Sequence, residues 1–401
     1  DGNWAKFWHA QAKSNKSGGL NGRAGQGKIS YNMMSSVWTI FGLTNTIENP
    51  SKKYLMGKCI LPETFSLEGV PYQSQAFIAG QEELGHGLQP IPFEDDKSIN
   101  AFCDAFSISR ENNELGTSWV IPFPKKNKKD EEIPKNEQII QAVMKGYYYS
   151  ILKQKLSVHV GETIVNQESI IDLARKYLGK SEANFFAFIK QIFDEETSLI
   201  YEAVRLPPEW AKYDSLPEDL LDIKKSDKLK KAYHSGEIVS VKLPITLHPK
   251  NRAKIDSFIT VFIKNDKTIN NTTEAFIRTD LVISGEKKIT NLPGTAYALI
   301  VADHPEIAAF LADSEIANHT KFNYKMLAVN LNYNKVEITL AVIRKGVRLV
   351  YQYLQQRRAQ RIEDLLNKFI SVKASKGPPG KKIEEKEKKE EEKEKEEEAT
   401  L

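Results

Sequence analysis

SNKSGGLNGRAGQGKISYNMMSSVWTIFGLT, Ser14–Thr44, decides how this chain is read. Its centre is Gly22-Arg23-Ala24-Gly25-Gln26-Gly27-Lys28, followed by ISYNMMSSVWTIF (29–41), which can run as a helix. Glycine takes positive φ without steric cost, so closely spaced glycines let successive backbone N–H groups turn inward onto an anion. A helix that starts directly afterwards adds its own unpaired N–H groups and the positive end of its dipole, and phosphate is the usual occupant. Lys28 contributes a compact charge and Arg23 a planar fork of donors.

The P-loop is the nearest alternative. Gly22–Lys28 satisfies GxxxxGK, but Ile29 stands where a magnesium-binding Ser or Thr is required. A P-loop also leaves a buried apolar strand, and AKSNKSGGLN (12–21) is polar. Both requirements fail. A structural turn that binds nothing is the bland alternative.

Outward from this segment, KKYLMGKCILPETF (52–65) reads as a strand and INAFCDAFSISR (99–110) as a helix. GTSWVIPFP (116–124) reads as a second strand. KKNKKDEEIPKN (125–136) is a charged hinge with a proline. EQIIQAVMKGYYYSILKQ (137–154) places Ile139, Ile140, Val143, Tyr147 and Ile151 on one helical face. KLSVHV (155–160) alternates as a strand, and IIDLARKYL and NFFAFIKQIFDEETSLIYEAV read as helices. Four β-rich runs follow: EIVSVKLPITLHP, SFITVFIKN, AFIRTDLVIS and TAYALIVAD. PEIAAFLADSEIA is then an amphipathic helix opened by Pro305, and a long helical pattern covers 336–372 until GPPG (377–380) stops it. The expected organisation is 1–124, 137–320, a helical extension over 321–376 and a Lys/Glu-rich low-complexity tail over 377–401.

Composition narrows the class. The chain has 401 residues, 40% hydrophobic and 27% charged, which is long enough for two or three domains with real cores. Lys+Arg number 57 and Asp+Glu 53, a net charge of +4. Lys381–Leu401 holds seven Lys and ten Glu, so 7 − 10 = −3 falls on the tail and +7 on the remainder. That excess permits contact with phosphates without demanding it. No run approaches the roughly 18–20 apolar residues of a membrane span, so no membrane partner is expected. DGNWAKFWHA at the start has no secretory signal features and no initiator Met, so the true N-terminus is expected upstream. Cys59 and Cys103 lie far apart, which argues against a disulfide framework or thiolate zinc site and for a reducing, cytoplasmic setting. The seven histidines show no HExxH or HxH spacing.

The glycine cluster resembles the ATP lid of the GHKL ATPases, the family of gyrase B, Hsp-type chaperones, histidine kinases and MutL. In that family a GxxGxG-type loop closes over the triphosphate, here matched by Gly22, Gly25 and Gly27 with Lys28. A Gly-Thr pair on a later strand lies at the floor of the adenine pocket, here matched by Gly116-Thr117. The phrases GRAGQGKISYNMMSSVWTIFGLT, YLMGKCIL, AFCDAFSISR, ELGTSWVIPFP and LADSEIANHTKF extend the resemblance to MutL-like and Hsp-like ATPases of bacterial phage-defence and restriction operons. It is strongest over residues 1–160 and looser to about 330.

The resemblance implies a Bergerat-type α/β sandwich followed by an α+β transducer-like domain, an α/β (α+β) class overall. The implied cofactors are ATP and Mg²⁺, and the implied role is an ATP-driven switch in a phage-defence or DNA-processing complex. A homodimer, other defence-operon proteins and DNA are the implied partners. The family's helix with a water-activating Glu and a Mg²⁺-binding Asn, and its adenine-reading Asp-x-Gly, have no counterpart here; they are expected upstream, and hydrolysis depends on them. Without that helix the chain reads instead as a non-hydrolysing scaffold or nucleic-acid-binding subunit. Lys242, Lys250 and Lys254 are alternatives for a lysine reaching the γ-phosphate, each also an ordinary surface residue. Glu315 and His319, four apart, would share a helical face, where they could bind metal, move a proton or end the helix. Arg357, Arg358 and Arg361 face away from an apolar stripe, as in a half-solvated helix or one contacting phosphates.

Overall fold

The computed structural model describes residues 7–8, 27–61, 63–84, 87–110, 113–126, 133–194, 200–202, 216, 223–286, 294–316 and 318–355. The chain divides into Asp1–Gln356 and Arg357–Leu401, and everything described lies in the first of these. It is a mixed α/β structure whose strands pair mainly antiparallel.

Helix α1 (Gly27–Met34) ends well before residue 41, where the sequence pattern had carried it. Val37, Trp38, Thr39, Ile40 and Phe41 are β-branched or aromatic, and side chains of that kind favour the pleated surface. The chain turns at Trp38, with φ +53°, and enters β1 (Thr39–Asn45). Ser36 N–H donates to Phe123 O and Lys125 N–H to Met34 O, both at 2.7 Å. Asn32 Nδ2 donates to Trp38 O and Lys58 O at 2.9 Å each.

β1 pairs antiparallel with β2 (Lys53–Ile60), Thr39 opposite Cys59 and Asn45 opposite Lys53. The two-stranded ribbons β3 (Phe65–Leu67)–β4 (Val70–Tyr72) and β6 (Gly80–Leu84)–β7 (Gly87–Ile91) flank β5 (Gln75–Ile78), which pairs with β2. Helix α2 (Asp96–Phe106) is N-capped by Asp95, which accepts from Ser98 N–H at 2.8 Å. β8 (Gly116–Val120) then pairs antiparallel with β1, giving the order β5-β2-β1-β8.

The two faces of this sheet follow the period of two. Ile40 and Met56 pack with Trp8, Tyr31 and Trp119 on the α1 face, while Phe41, Leu43 and Leu55 pack with Ile99 and Phe102 on the α2 face. Gly42 is there for space. A Cβ on it would lie 2.8 Å from Trp119 Cζ3 and 3.1 Å from Trp8 Cζ2.

The larger sheet comprises β11 (Ile200–Glu202), β12 (Ile238–Leu247), β13 (Ile255–Asn265), β14 (Thr273–Arg278), β15 (Leu281–Val282) and β16 (Ala296–Ala302). Its order is β11-β12-β13-β16-β14-β15, parallel at β11/β12 and β14/β16 and antiparallel elsewhere. Central β16, AYALIVA, is buried at every position, as a strand covered on both faces must be. Tyr297, Leu299 and Val301 face a core shared with α3 (Asn136–Leu152), α4 (Ile170–Tyr177) and α5 (Lys180–Asp194). Ala296, Ala298 and Ile300 face a core shared with α6 (Ile223–His234), α7 (Pro305–Ser314) and α9 (Val336–Gln355). Short β9 (Val158–Val160), β10 (Thr163–Val165), α8 (Leu327–Asn332) and a 3₁₀ turn (Ser284–Glu286) complete the described elements. Each Leu, Ile, Val or Phe buried between these layers contributes roughly 1.5–3 kcal/mol before ordering costs.

Three local expectations change. The inward face of α3 runs through Ile140, Met144, Tyr148 and Ile151, while Ile139 and Tyr147 are exposed. Ile200–Glu202, expected in a helix, is the strand β11 paired with β12. Residues 336–355, assigned from sequence to a helical extension, form α9, and its buried side belongs to the sheet's core.

The turn between β14 and β15 is tied to α3. Asp280 accepts from Lys155 Nζ at 2.6 Å and Lys153 Nζ at 3.2 Å, and Ser150 Oγ donates to Asp280 O at 3.0 Å. Burial raises the Asp280 pKa, but hydrogen bonds and charge from Lys155 and Lys153 outweigh it and hold the carboxyl below its ordinary 3.8. A carboxyl depressed by folding contributes stability above its unfolded pKa and loses it as pH falls through the folded value. Asp280→Asn should therefore lower the melting temperature at pH 6, and the gap to wild type should close below pH 3.8. A gap that persists unchanged to pH 2.5 would show that charge is not what the residue contributes.

Candidate functional site

Gly116 and Thr117 begin β8, opposite Asn45 and Thr44 of β1. Residues directly opposite in a ladder share a face, so Thr44 and Thr117 lie on the α1 side, as do Gly42 and Trp119. Thr44 is buried and Thr117 exposed. Thr44 Oγ1 lies 2.9 Å from Gly116 O and 2.9 Å from Thr117 Oγ1. Gly116 has φ +118°, and a Cβ added to it would meet nothing within 4 Å. Backbone conformation, not crowding, therefore calls for glycine there.

Arg110 fastens this corner. Its Nη1 donates to Leu43 O at 3.2 Å and Ser118 Oγ at 3.1 Å; its Nη2 donates to Glu114 O at 2.6 Å and Gly116 O at 3.1 Å. One guanidinium thus fixes both strands and the loop before β8.

α1 packs on the same sheet face: Met34 O accepts from Lys125 N–H beyond the end of β8, and Tyr31, one turn earlier, stacks on Trp119 at 5.4 Å and 13°. Gly22, Arg23 and Gly25 lie outside the described residues, as does the Lys28 side chain.

The same sheet face holds a buried lysine at the other end of β1. Lys58 Nζ donates to Trp8 O at 2.6 Å and lies 5.1 Å from the Phe77 ring centroid. On the α2 side, Asn49, Ser51, Lys52, Lys53, Glu94, Asp96 and Asn100 line an open pocket of about 360 Å³ with a Lys52–Glu94 ion pair at 2.5 Å. That lining is wholly polar and offers no apolar wall for a planar ring.

Thr44 and Arg110 escape a reading of the sequence. A threonine in a β-rich run is ordinary until strand register sets it against the Gly-Thr pair. Glu315 and His319 do meet, but not on a helix. α7 stops at Ser314, Glu315 is extended and bridges to Phe322, and His319 Nδ1 reaches Glu315 Oε2 at 2.6 Å across the turn. The carboxylate is also bound by buried Arg278, through Nε to Oε1 and through Nη2 to Oε2 at 3.1 Å.

Lys242 lies 5.0 Å from the Phe258 ring centroid, and Lys250 and Lys254 are exposed between β12 and β13. Arg357, Arg358 and Arg361 are outside the described residues. Among the described residues no three His, Cys, Asp or Glu side chains converge as metal ligands, and no helix is long and apolar enough to cross a membrane. The Thr44–Thr117 corner offers neutral hydroxyl and carbonyl oxygens and no carboxylate, imidazole or thiolate to hold a metal ion. Compared with protein-family models, curated proteins and solved structures, the chain matches none.

Proposed function

We propose that the sheet β5-β2-β1-β8 with its helices is a GHKL-type, Bergerat-fold ATP-binding domain and acts as an ATP-driven conformational switch. The observation that carries the reading is the shared placement of two sequence motifs. The helix that directly follows the glycine cluster packs on the sheet face to which Thr117 of the Gly-Thr strand belongs. In this reading Gly22, Arg23, Gly25, Gly27 and Lys28 hold the triphosphate, by inward N–H groups and positive charge. Gly116 and Thr117 hold the base. No residue is assigned as the Mg²⁺ ligand or the water-activating carboxylate, so the reading is one of nucleotide binding, with turnover dependent on such groups. The domain built on β11–β16 serves as the transducer, and nucleotide closure favours a homodimer within a phage-defence or DNA-processing complex.

The test is equilibrium binding of a fluorescent ATP analogue with Mg²⁺ to the protein. Wild type should bind at micromolar concentrations, and Gly25→Val/Lys28→Ala should weaken binding at least about tenfold, since it removes a nest position and a charge-assisted contact. No binding by wild type would sink the reading and leave a non-hydrolysing scaffold or nucleic-acid-binding subunit as the role of the chain.

A further inference from the structure

The end of α1 and the chain just beyond β8 form an apolar surface that the fold leaves uncovered. Ser35 is buried and bridges antiparallel to Pro124, so its neighbours Met34 and Ser36 turn to solvent with the residues opposite them, Lys125 and Phe123. Met33 and Val37 continue the surface along the chain, both exposed. Three hydrogen bonds of 2.7 Å hold the two segments together: Ser36 N–H to Phe123 O, Lys125 N–H to Met34 O and Ser35 Oγ to Pro122 O. Phe123 is the anomaly. Its φ is +48°, where a bulky side chain is strained. Its side chain is 71% exposed and meets no other ring among the described residues, so burial does not offset the strain. Glycine would suit that backbone better, and nothing inside the fold calls for phenylalanine.

The rim of the surface is positive. Residues 27–38 and 116–126 hold Lys28, Lys125 and Lys126 and no Asp or Glu. Lys125 Nζ rests 4.1 Å from the Trp38 ring centroid, and the next residue, Lys126, is exposed. We propose that Met33, Met34, Val37 and Phe123 form a docking surface for an acidic amphipathic segment of a partner protein, whose carboxylates meet Lys125 and Lys126. Contiguous exposed apolar side chains with a polar rim mark protein contacts, and two methionines give such a surface an adaptable floor. The Phe123 ring is the aromatic anchor. A second copy of this chain fits less well, because a two-fold contact through the same patch sets lysines against lysines. The surface serves this purpose whether or not a nucleotide binds.

The experiment uses the full chain with its methionine methyl groups labelled with carbon-13, titrated with a helical peptide bearing leucine on one face and glutamate on the other. The Met33 and Met34 methyl resonances should shift and saturate, while those of buried Met56 and Met144 stay in place. The same peptide with lysine for glutamate should bind at least about tenfold more weakly. Phe123→Gly should weaken the glutamate peptide by about tenfold and yet leave the melting temperature within about 2 °C of wild type, since its ring buries little. Lys125→Glu/Lys126→Glu should reverse the preference between the two peptides, and Phe123→Gly carries the test if that variant melts early. Unmoved Met33 and Met34 resonances at millimolar peptide, or equal affinity for both peptides, overturn the inference. So does a Phe123→Gly variant that melts early, because the ring is then part of the packing. Self-association that Phe123→Gly abolishes, without peptide binding, assigns the patch to a second copy and overturns the acidic partner.

Discussion

Glu315→Ala is expected to cost about 3–5 kcal/mol of stability, because it breaks a buried ion pair and removes the carboxylate that Arg278 binds through two hydrogen bonds. Arg278 and Glu315 side chains are 1% and 2% exposed. Arg278 grips both carboxylate oxygens, and His319 takes up the remaining capacity of one of them. Taking two charges out of water costs several kcal/mol each, and this mutual satisfaction offsets it. The pair also sits where the chain is hard to hold otherwise. The turn 315–322 has a short bridge, Glu315 to Phe322, and Gly285 N–H donates to Thr320 O at 2.7 Å. A second pair, Arg344 with Glu286 at 2.7 and 3.0 Å, secures the same turn through Phe322 O and Phe322 N–H. For a unit of the size of Asp1–Gln356 the loss corresponds to a melting temperature lower by roughly 4–7 °C. Arg278→Met/Glu315→Leu, which removes both charges and fills the space, should recover most of it. If Glu315→Ala costs under about 1 kcal/mol, the pair is solvated in solution and this account of the turn is wrong.

Strands were the most legible part of the chain. SFITVFIKN and TAYALIVAD announce β13 and β16 because β-branched runs bounded by turn residues have little other use. The Gly-Thr strand and the helix at INAFCDAF were legible for the same local reasons. What failed was decided by partners far away in sequence. α1 ends at Met34 because Ser35 and Ser36 bond to Pro122 and Phe123, some ninety residues on, a connection no local pattern contains. Ile200–Glu202 is a strand because β12 offers it an edge. The face of α3 was misjudged by about one residue, since its row of tyrosines leaves the apolar stripe ambiguous and the sheet chose Tyr148 over Tyr147. At the candidate site the motif residues were legible, but the residues that orient them were not. Thr44 and Arg110 acquire meaning only once β1 is registered against β8.

Trp119→Ala should cost about 3 kcal/mol and weaken nucleotide binding as well, although Trp119 lies two residues beyond Thr117. The indole is the joint between α1 and the sheet. It stacks on Tyr31, meets Phe7 at 4.7 Å and Trp8 at 6.1 Å, and occupies the space that Gly42 leaves open. Truncating it to Ala removes its contacts with all of these at once and leaves a void that the strand backbone cannot fill. α1 keeps its hydrogen bonds at the Met34 end but loses what holds it down nearer its start, the end at which the glycine cluster joins it. On the proposed nucleotide-binding reading, the loss of binding comes through α1 and not through Thr117. Trp119→Phe keeps a ring against Tyr31 and should restore most of both stability and binding. If Trp119→Ala destabilises the protein and yet leaves nucleotide affinity untouched, α1 is a structural helix only, and the glycine cluster before it does not close over a ligand from this side of the sheet.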